Sequence, residues 1–258
     1  MIPKVIHYCW LGGNPLPQSA VKCIESWKKY CPDYEIREWN ESNLDFENAP
    51  AFVRQAYEAK AWGFVPDYFR LWIVYHYGGI YLDTDVQMIK SFDPLLHNTA
   101  FAGFEAANSV AFGLGFGAEK GHPMIKEHLD LYNSIQFRNS DGTLNRVASP
   151  VITTQWLQEK GLVADTGEIQ VIDGLYIYPK DYFAPKSFDT GVTKITKNTY
   201  SIHQYDASWF TDDEKLQHEK NLRDYRLQKI TKLPNRILMR ILGETNYAKL
   251  KTMLKGRG

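Results

Sequence analysis

The chain has 258 residues, with 30 Lys/Arg against 30 Asp/Glu, so a zero formal net charge builds in no general attraction to nucleic acid. At 44% hydrophobic and 14% aromatic residues, it has the material for a sizeable core, which excludes a disordered chain.

Residues 4–10 form a β-rich run that ends at Leu11-Gly12-Gly13-Asn14-Pro15, a loop by its turn residues. Helical spacing follows over 17–30, with Val21, Ile24, Trp27 and Cys31 on one stripe. Residues 34–39 alternate as a half-buried strand. Residues 50–61 and 65–77 read as helices, the second with Pro66 in its first turn, where a missing N–H costs nothing. Gly78-Gly79 stops that helix, and an apolar strand leads into Asp83-Thr84-Asp85. Two β-like runs follow at 100–105 and 109–118, then helices at 122–136 and 151–160. Short strands near 169–172, 175–178 and 193–203 precede a charged helix over 212–229. Alternating strands and helices in the first half predict a layered α/β sheet.

The three cysteines (Cys9, Cys23, Cys31) are odd in number and lack zinc-ligand spacing, so reduced structural thiols are expected. Met1-Ile2-Pro3-Lys4 leads straight into a strand, and no apolar run reaches the length of a membrane span. The expected location is therefore cytoplasmic.

The chemistry concentrates between residues 65 and 86. On a strand, Asp83 and Asp85 point the same way while Thr84 points opposite. Two such carboxylates repel unless a cation lies between them. Hard oxygen ligands with open positions suit Mg²⁺ or Mn²⁺, which commonly share their shell with phosphates. Asp67 and Arg70 are three apart on a helix that Phe69, Leu71, Trp72, Ile73 and Val74 make apolar nearly all round. A buried ion pair there is costly unless it serves a site.

From Lys229 onward, eight basic residues stand against one acid, Glu244, so this stretch carries +7 and the preceding 228 residues carry −7. A boundary is drawn near 230, giving a body over 1–230 and a basic tail over 231–258. In the tail, Ile237, Leu238, Ile241 and Leu242 make an apolar face beside Lys232, Arg236 and Arg240. That pattern suits an amphipathic helix on an anionic bilayer, or one packed on the protein itself.

The segment Asp67…Arg70…Gly78-Gly79-Ile80-Tyr81-Leu82-Asp83-Thr84-Asp85 resembles the sugar-binding region of the glycosyltransferases grouped as family 32. That grouping includes fungal initiating mannosyltransferases, animal α-1,4-galactosyltransferases and bacterial capsule enzymes; the catalytic domains of clostridial glucosylating toxins are more distant relatives. The opening Ile2-to-Gly13 run is similar to that family's first strand. Ser201-Ile202-His203-Gln204-Tyr205-Asp206-Ala207-Ser208-Trp209 is similar to its His-x-x-x-x-Ser-Trp block.

The resemblance implies a GT-A-type nucleotide-sugar-binding fold, a mixed sheet flanked by helices, with a basic helical appendage. It implies transfer of a hexose, with retention, from a nucleoside-diphosphate sugar of UDP type. The acceptor would be a glycan hydroxyl on a lipid-linked capsular or exopolysaccharide intermediate. Trp10 would stack on the base, an aromatic face being suited to that. Asp67 and Arg70 would hold donor hydroxyls, Arg70 also lying near phosphate. Asp83 would reach the ribose and a metal-bound water, and Asp85 would bind Mn²⁺ or Mg²⁺ directly. Tyr81 would line the nucleotide pocket, His203 would add a metal or diphosphate contact, and Ser208-Trp209 would close over the diphosphate. Asn108 is a candidate for a further sugar-side asparagine. Ser149-Pro150 and Thr153 resemble a family Gly-Pro-x-x-x-Thr turn in which Ser replaces Gly. For an enzyme with lipid-linked acceptors, peripheral attachment to the inner face of the cytoplasmic membrane through the tail is expected.

Two rivals differ in class. An apolar strand ending in Asp83-Thr84-Asp85-Val86 also fits the opening of haloacid-dehalogenase-type phosphatases, with Asp83 as nucleophile, although Asp212-Asp213 follows no apolar strand. The other is a non-catalytic sugar-binding scaffold, against which the acid pair and Arg70 argue.

Overall fold

The structure is a computed structural model that describes residues 1–206, 210–231 and 235–255. The first strand, β1 (Val5–Cys9), leads to α1 (Gln18–Tyr30) and β2 (Glu35–Trp39). Next come α2 (Ala51–Glu58), α3 (Val65–Tyr77), β3 (Gly79–Tyr81) and β4 (Val86–Met88). A 3-10 turn (Asp93–His97) precedes β5 (Ala100–Ala106), β6 (Ser109–Ala111), β7 (Phe116–Ala118), α4 (Pro123–Leu131) and α5 (Ser149–Glu159). The order closes with β8 (Gln170–Ile172), β9 (Leu175–Tyr178), α6 (Lys180–Phe183), β10 (Ser201–His203), α7 (Asp212–Thr231) and α8 (Asn235–Lys255).

Among the described residues the sheet runs β2-β1-β3-β7-β5-β9-β8, with β6 paired to β5 and a separate β10-β4 ribbon. β1 is parallel to β2 and β3, β5 is parallel to β9, and β7 is antiparallel to both β3 and β5. Strands β1, β2, β3, β5 and β9 therefore all point one way, and their carboxyl ends share one edge. That edge is where open α/β sheets bind ligands.

The strands alternate between two cores. Ile6, Tyr8, Ile80, Leu82 and Phe101 pack with Ile24 and Trp27 of α1 and Phe183 of α6. Cys9, Tyr81, Ala100, Ala102 and Phe104 pack on the other side with Phe69 and Ile73 of α3, Ile125 of α4 and Trp156 of α5. The three cysteines are free and buried.

Most elements fall where spacing put them, and the exceptions have local causes. The expected strand over 109–118 breaks into β6 and β7 around Gly113 and Gly115. The helix expected over 122–136 ends at Leu131, and only Ser201–His203 of the run at 193–203 is a strand. The strand before the aspartates ends at Tyr81, so alternation along a strand does not bring Asp83 and Asp85 together; a turn does. Gly78 (φ 68°) and Gly79 (φ 101°) make the sharp exit from α3, in backbone conformations open to glycine without strain.

Contacts divide the chain into two compact units: Met1–Lys186 with Thr193–Trp209, and Ser187–Val192 with Phe210–Gly258. In the second unit, Phe188 stacks on His218 of α7 at 4.3 Å. Helix α8 is interrupted at Gly243 (φ 72°). Along it Leu238 is buried, whereas Ile237 and Ile241 are exposed. No helix of the described residues is long and apolar enough to cross a membrane.

Two buried imidazoles give the fold an acid limit. Burial lowers His7 to about 4, against the opposing bond to the Gly78 carbonyl, and lowers His128 to about 3. Both are neutral in the folded state, so their stabilisation is complete above about pH 6.5 and drains away as pH falls toward those values. Asp67, lifted by burial to about 6, works in the opposite sense by taking up a proton in the folded state. His203, pushed up to about 9 by its carboxylate neighbours, also gains stability in acid, so the balance at pH 4.5 is a net loss of roughly 2 kcal/mol, a sizeable share of a marginal stability. Urea unfolding at pH 7.5 and 4.5 should show the lower midpoint in acid; equal midpoints would refute the assignment.

Candidate active site

Helix α3 supplies the first half of the site. Its i,i+3 spacing sets Asp67 beside Arg70, with Nη1 of Arg70 at 3.1 Å from Oδ1 of Asp67 and both side chains only 7% exposed. Nη1 also donates to the Ser149 hydroxyl at 3.2 Å, and Nη2 reaches Oδ1 of Asp83 at 3.2 Å. The guanidinium lies over the Tyr81 ring, 5.4 Å from its centroid. Burial opposes the charge on Arg70, but Asp83 and Asp67 outweigh it and hold the group protonated. Burial raises Asp67 to about 6 even though Arg70 and the Ser149 hydroxyl pull it down. Arg70 thus acts as a clamp between a helix carboxylate and a loop carboxylate, a use suited to its planar fork.

The second half is the turn after β3. Leu82 N–H still donates to the His7 carbonyl at 3.0 Å, and Asp83 N–H donates to the Gly113 carbonyl at 3.0 Å. Val86 N–H then closes back on the Asp83 carbonyl at 3.0 Å, swinging Asp85 round. Antiparallel pairing of β10 with β4 sets His203 opposite Val86, with its Nε2 at 3.1 Å from Oδ1 of Asp85. The backbone N–H of Asp206 donates to Oδ2 of Asp85 at 3.0 Å, and that of Gln204 donates to the Asp85 carbonyl at 2.9 Å. Burial would raise Asp85, but the charge and hydrogen bond of His203, with the Asp206 amide, lower it below the usual carboxylate range. Burial disfavours His203⁺ in turn, yet Asp85, with Asp83 and Glu105, pushes the imidazole up to about 9.

Ligand atoms of Asp83, Asp85 and His203 all lie within 4.8 Å of one another. Two carboxylates and an imidazole fit a hard-to-borderline divalent ion such as Mn²⁺, with coordination positions left for phosphate oxygens. The excess negative charge that protonates His203 is the same excess a cation would neutralise.

The other expected residues are placed unevenly. Trp10 is half-buried just past the carboxyl end of β1, its indole N–H donating to the Asn14 carbonyl at 2.5 Å. No contact joins it to the carboxylates among the described residues; it shares their sheet edge. Tyr81 is 1% exposed and supports Arg70 from below. Asn108 is exposed in the turn between β5 and β6. Thr153 is buried with its hydroxyl 3.3 Å from Nε2 of His128. Ser208 and Trp209 lie outside the described residues.

Sequence reasoning missed Gly113. A Cβ there would collide with the Asp83 carboxylate, so glycine is required for room rather than for backbone freedom. The signal that could have found it was a glycine inside an otherwise β-like run. Ser149 was weighed only as a substituted turn residue, and its bond to Arg70 depends on a contact 79 residues apart in sequence.

Residues 17–102 match the family described as a glycosyltransferase sugar-binding region containing a DXD motif. The chain is 36% identical over 128 residues to inositol phosphoceramide mannosyltransferase 3 of Schizosaccharomyces pombe, covering 48% of this chain and 35% of that protein. It is 24% identical over 226 residues to mannosyl phosphorylinositol ceramide synthase CSH1 of Saccharomyces cerevisiae, covering 83% of this chain and 54% of that protein. The matches thus span from about a third to about half of these relatives' length. Among solved structures, the PaToxG glycosyltransferase is similar with a TM-score of 0.50 at 24% identity, covering 62% of this chain and 70% of that one. That likeness is one of fold.

Proposed function

Because residues 17–102 belong to the glycosyltransferase sugar-binding regions containing a DXD motif, set in a GT-A-type fold, we propose that this protein is a metal-dependent, retaining hexosyltransferase. It would move a sugar from a nucleoside-diphosphate donor to a hydroxyl acceptor. The observation that carries this reading is the convergence of Asp83, Asp85 and His203 within 4.8 Å, with Asp83 joined at 3.2 Å to Arg70 of the buried Asp67–Arg70 pair.

Asp85 and His203 would hold Mn²⁺ or Mg²⁺, with Asp83 shared between that ion and Arg70. When bound, the cation supplies positive charge to a departing diphosphate. Arg70 adds hydrogen-bond donors already oriented by Asp67, Asp83 and Ser149, so little reorganisation is needed as charge develops. Asp67 accepts from donor-sugar hydroxyls, and Trp10 offers a face for the base at the same strand edge. Ser208-Trp209 belong to the closing segment in this reading. The catalytic portion is assigned to 1–230.

The donor is proposed to be UDP-linked. The names of the two relatives, a mannosyltransferase and a mannosyl phosphorylinositol ceramide synthase, place mannose in the panel to be tested. A lipid-linked acceptor, of capsular type or like the phosphoceramide in one relative's name, agrees with a membrane-docking tail. Exposed Ile237 and Ile241, one turn apart, with exposed Arg240 between them support that docking. Co-sedimentation with anionic vesicles should be lost on deleting 231–258; unchanged binding would refute it.

The phosphatase rival is weakened because Asp83 is anchored to Arg70 through Oδ1, and Asp213 stands at the start of α7 rather than after a strand. The test is manganese-dependent release of nucleoside diphosphate from a panel of UDP- and GDP-hexoses. Release from one donor, suppressed by chelation, is the expected result. Hydrolysis of a generic phosphomonoester without any donor cleavage would overturn the assignment.

A further inference from the structure

One carboxylate near the site has no part in the mechanism above. Glu105 stands at the carboxyl end of β5, where the β5–β6 register jumps: Phe104 faces Val110 and Ala106 faces Ser109, leaving Glu105 as the extra residue of a β-bulge. Bulges beside active sites re-aim a side chain that regular alternation would send elsewhere. Glu105 is half-buried, and among the described residues it has no hydrogen-bond or ion-pair partner. Its carboxylate is partly covered yet still reached by solvent, so acceptor positions stay open to a substrate hydroxyl.

Its surroundings say which ligand. Glu105 lies within electrostatic reach of His203, Lys180, Asp83 and Asp85. Burial raises its pKa above the ordinary carboxylate value; His203 and Lys180 counter this, and the two aspartates add to it. The sheet order then fixes a direction. Trp10 follows β1, the carboxylate turn follows β3, Glu105 ends β5 beyond β7, and Lys180 follows β9. With the base at the β1 end and the diphosphate at the aspartates, Glu105 is on the far side of the metal-ligating cluster from the nucleotide. What remains on that side is the reacting sugar and the hydroxyl that attacks it.

Resting on the glycosyltransferase reading, we propose that Glu105 is the acceptor-side carboxylate, accepting a hydrogen bond from the attacking hydroxyl and holding it against the anomeric carbon. In the transfer step, the hydroxyl oxygen bonds to that carbon while the bond from the carbon to the diphosphate oxygen breaks. The electron pair leaves with the diphosphate, and the hydroxyl proton passes to the departing diphosphate oxygen. Glu105 orients the hydroxyl and is regenerated unchanged, so it touches substrate without being consumed.

Water can serve as the probe hydroxyl, since hydrolysis of the donor is transfer to water. In full-length protein, Glu105→Leu and Glu105→Ala, which both remove the acceptor oxygens, should each lower kcat for manganese-dependent donor hydrolysis by at least roughly tenfold. The KM for donor and the half-saturating manganese concentration should stay within about twofold, and manganese binding followed by its EPR signal should be unchanged. A kcat within about twofold of the unmodified protein would overturn the proposal. So would a parallel weakening of manganese binding, which would make Glu105 a metal-side group. A chain with no manganese-dependent cleavage of any donor fails at the glycosyltransferase reading itself, a result distinct from either of these.

Discussion

Replacing Asp85 by Asn should reduce manganese-dependent release of nucleoside diphosphate by at least roughly 10²–10³-fold while leaving the fold intact. The carboxylate is held for its charge: the Asp206 and Gln204 amides and the His203 ring all address residue 85. Asn is the same size, and its carbonyl oxygen can still accept from the Asp206 amide, so the turn should persist. His203 loses the charge that raised it to about 9, and burial then returns it toward the neutral form. A neutral imidazole leaves no uncompensated ion behind, so melting should shift by only a few degrees, corresponding to about 1 kcal/mol. Manganese titration of both proteins is the deciding measurement. A folded Asp85→Asn protein that still cleaves donor with unchanged manganese dependence would remove the metal assignment.

How much of this site was legible in the sequence depended on how local each contact is. Asp67 and Arg70 were readable because helix spacing alone makes them neighbours. Asp83 and Asp85 were readable as a charged end to an apolar strand, although the reason given, strand alternation, was not the one at work. Their convergence on His203 comes from a turn and from antiparallel pairing with a strand over a hundred residues later. No spacing rule encodes that pairing; only the family resemblance suggested His203. Glu105 carried the same signal as Asp83, an apolar strand, Ala100 to Phe104, ended by a carboxylate. It was passed over because a single acid there is unremarkable until the bulge and the strand order are known. The roles of Gly113 and Ser149 were hidden for a related reason, since each acts through a long-range contact. The layered α/β class, by contrast, followed from alternating element types, which are local properties.

Arg70→Met should cost about 3–5 kcal/mol of stability as well as activity, because it strands buried charge. The guanidinium is the shared partner of Asp67 and Asp83, and Asp67 is 7% exposed, so water cannot replace what is lost. Arg70→Lys should be milder in stability yet almost as damaging to turnover: one ammonium cannot reproduce two nitrogens aimed at two carboxylates. The stability cost of Arg70→Met should also depend on pH in a definite sense. Arg70 is the principal group pulling Asp67 down against burial, so without it Asp67 rises from about 6 and accepts a proton more readily. The deficit relative to the unmodified protein should therefore shrink between pH 7.5 and 5.5, as Asp67 becomes neutral. Adding Asp67→Asn to Arg70→Met should recover stability at pH 7.5 by removing the stranded charge, without recovering transfer. Urea unfolding at the two pH values, with donor cleavage at pH 7.5, separates these effects. A deficit that grows in acid, or a double variant no more stable than Arg70→Met alone, would show that Arg70 stabilises through packing on Tyr81 and not through its charge.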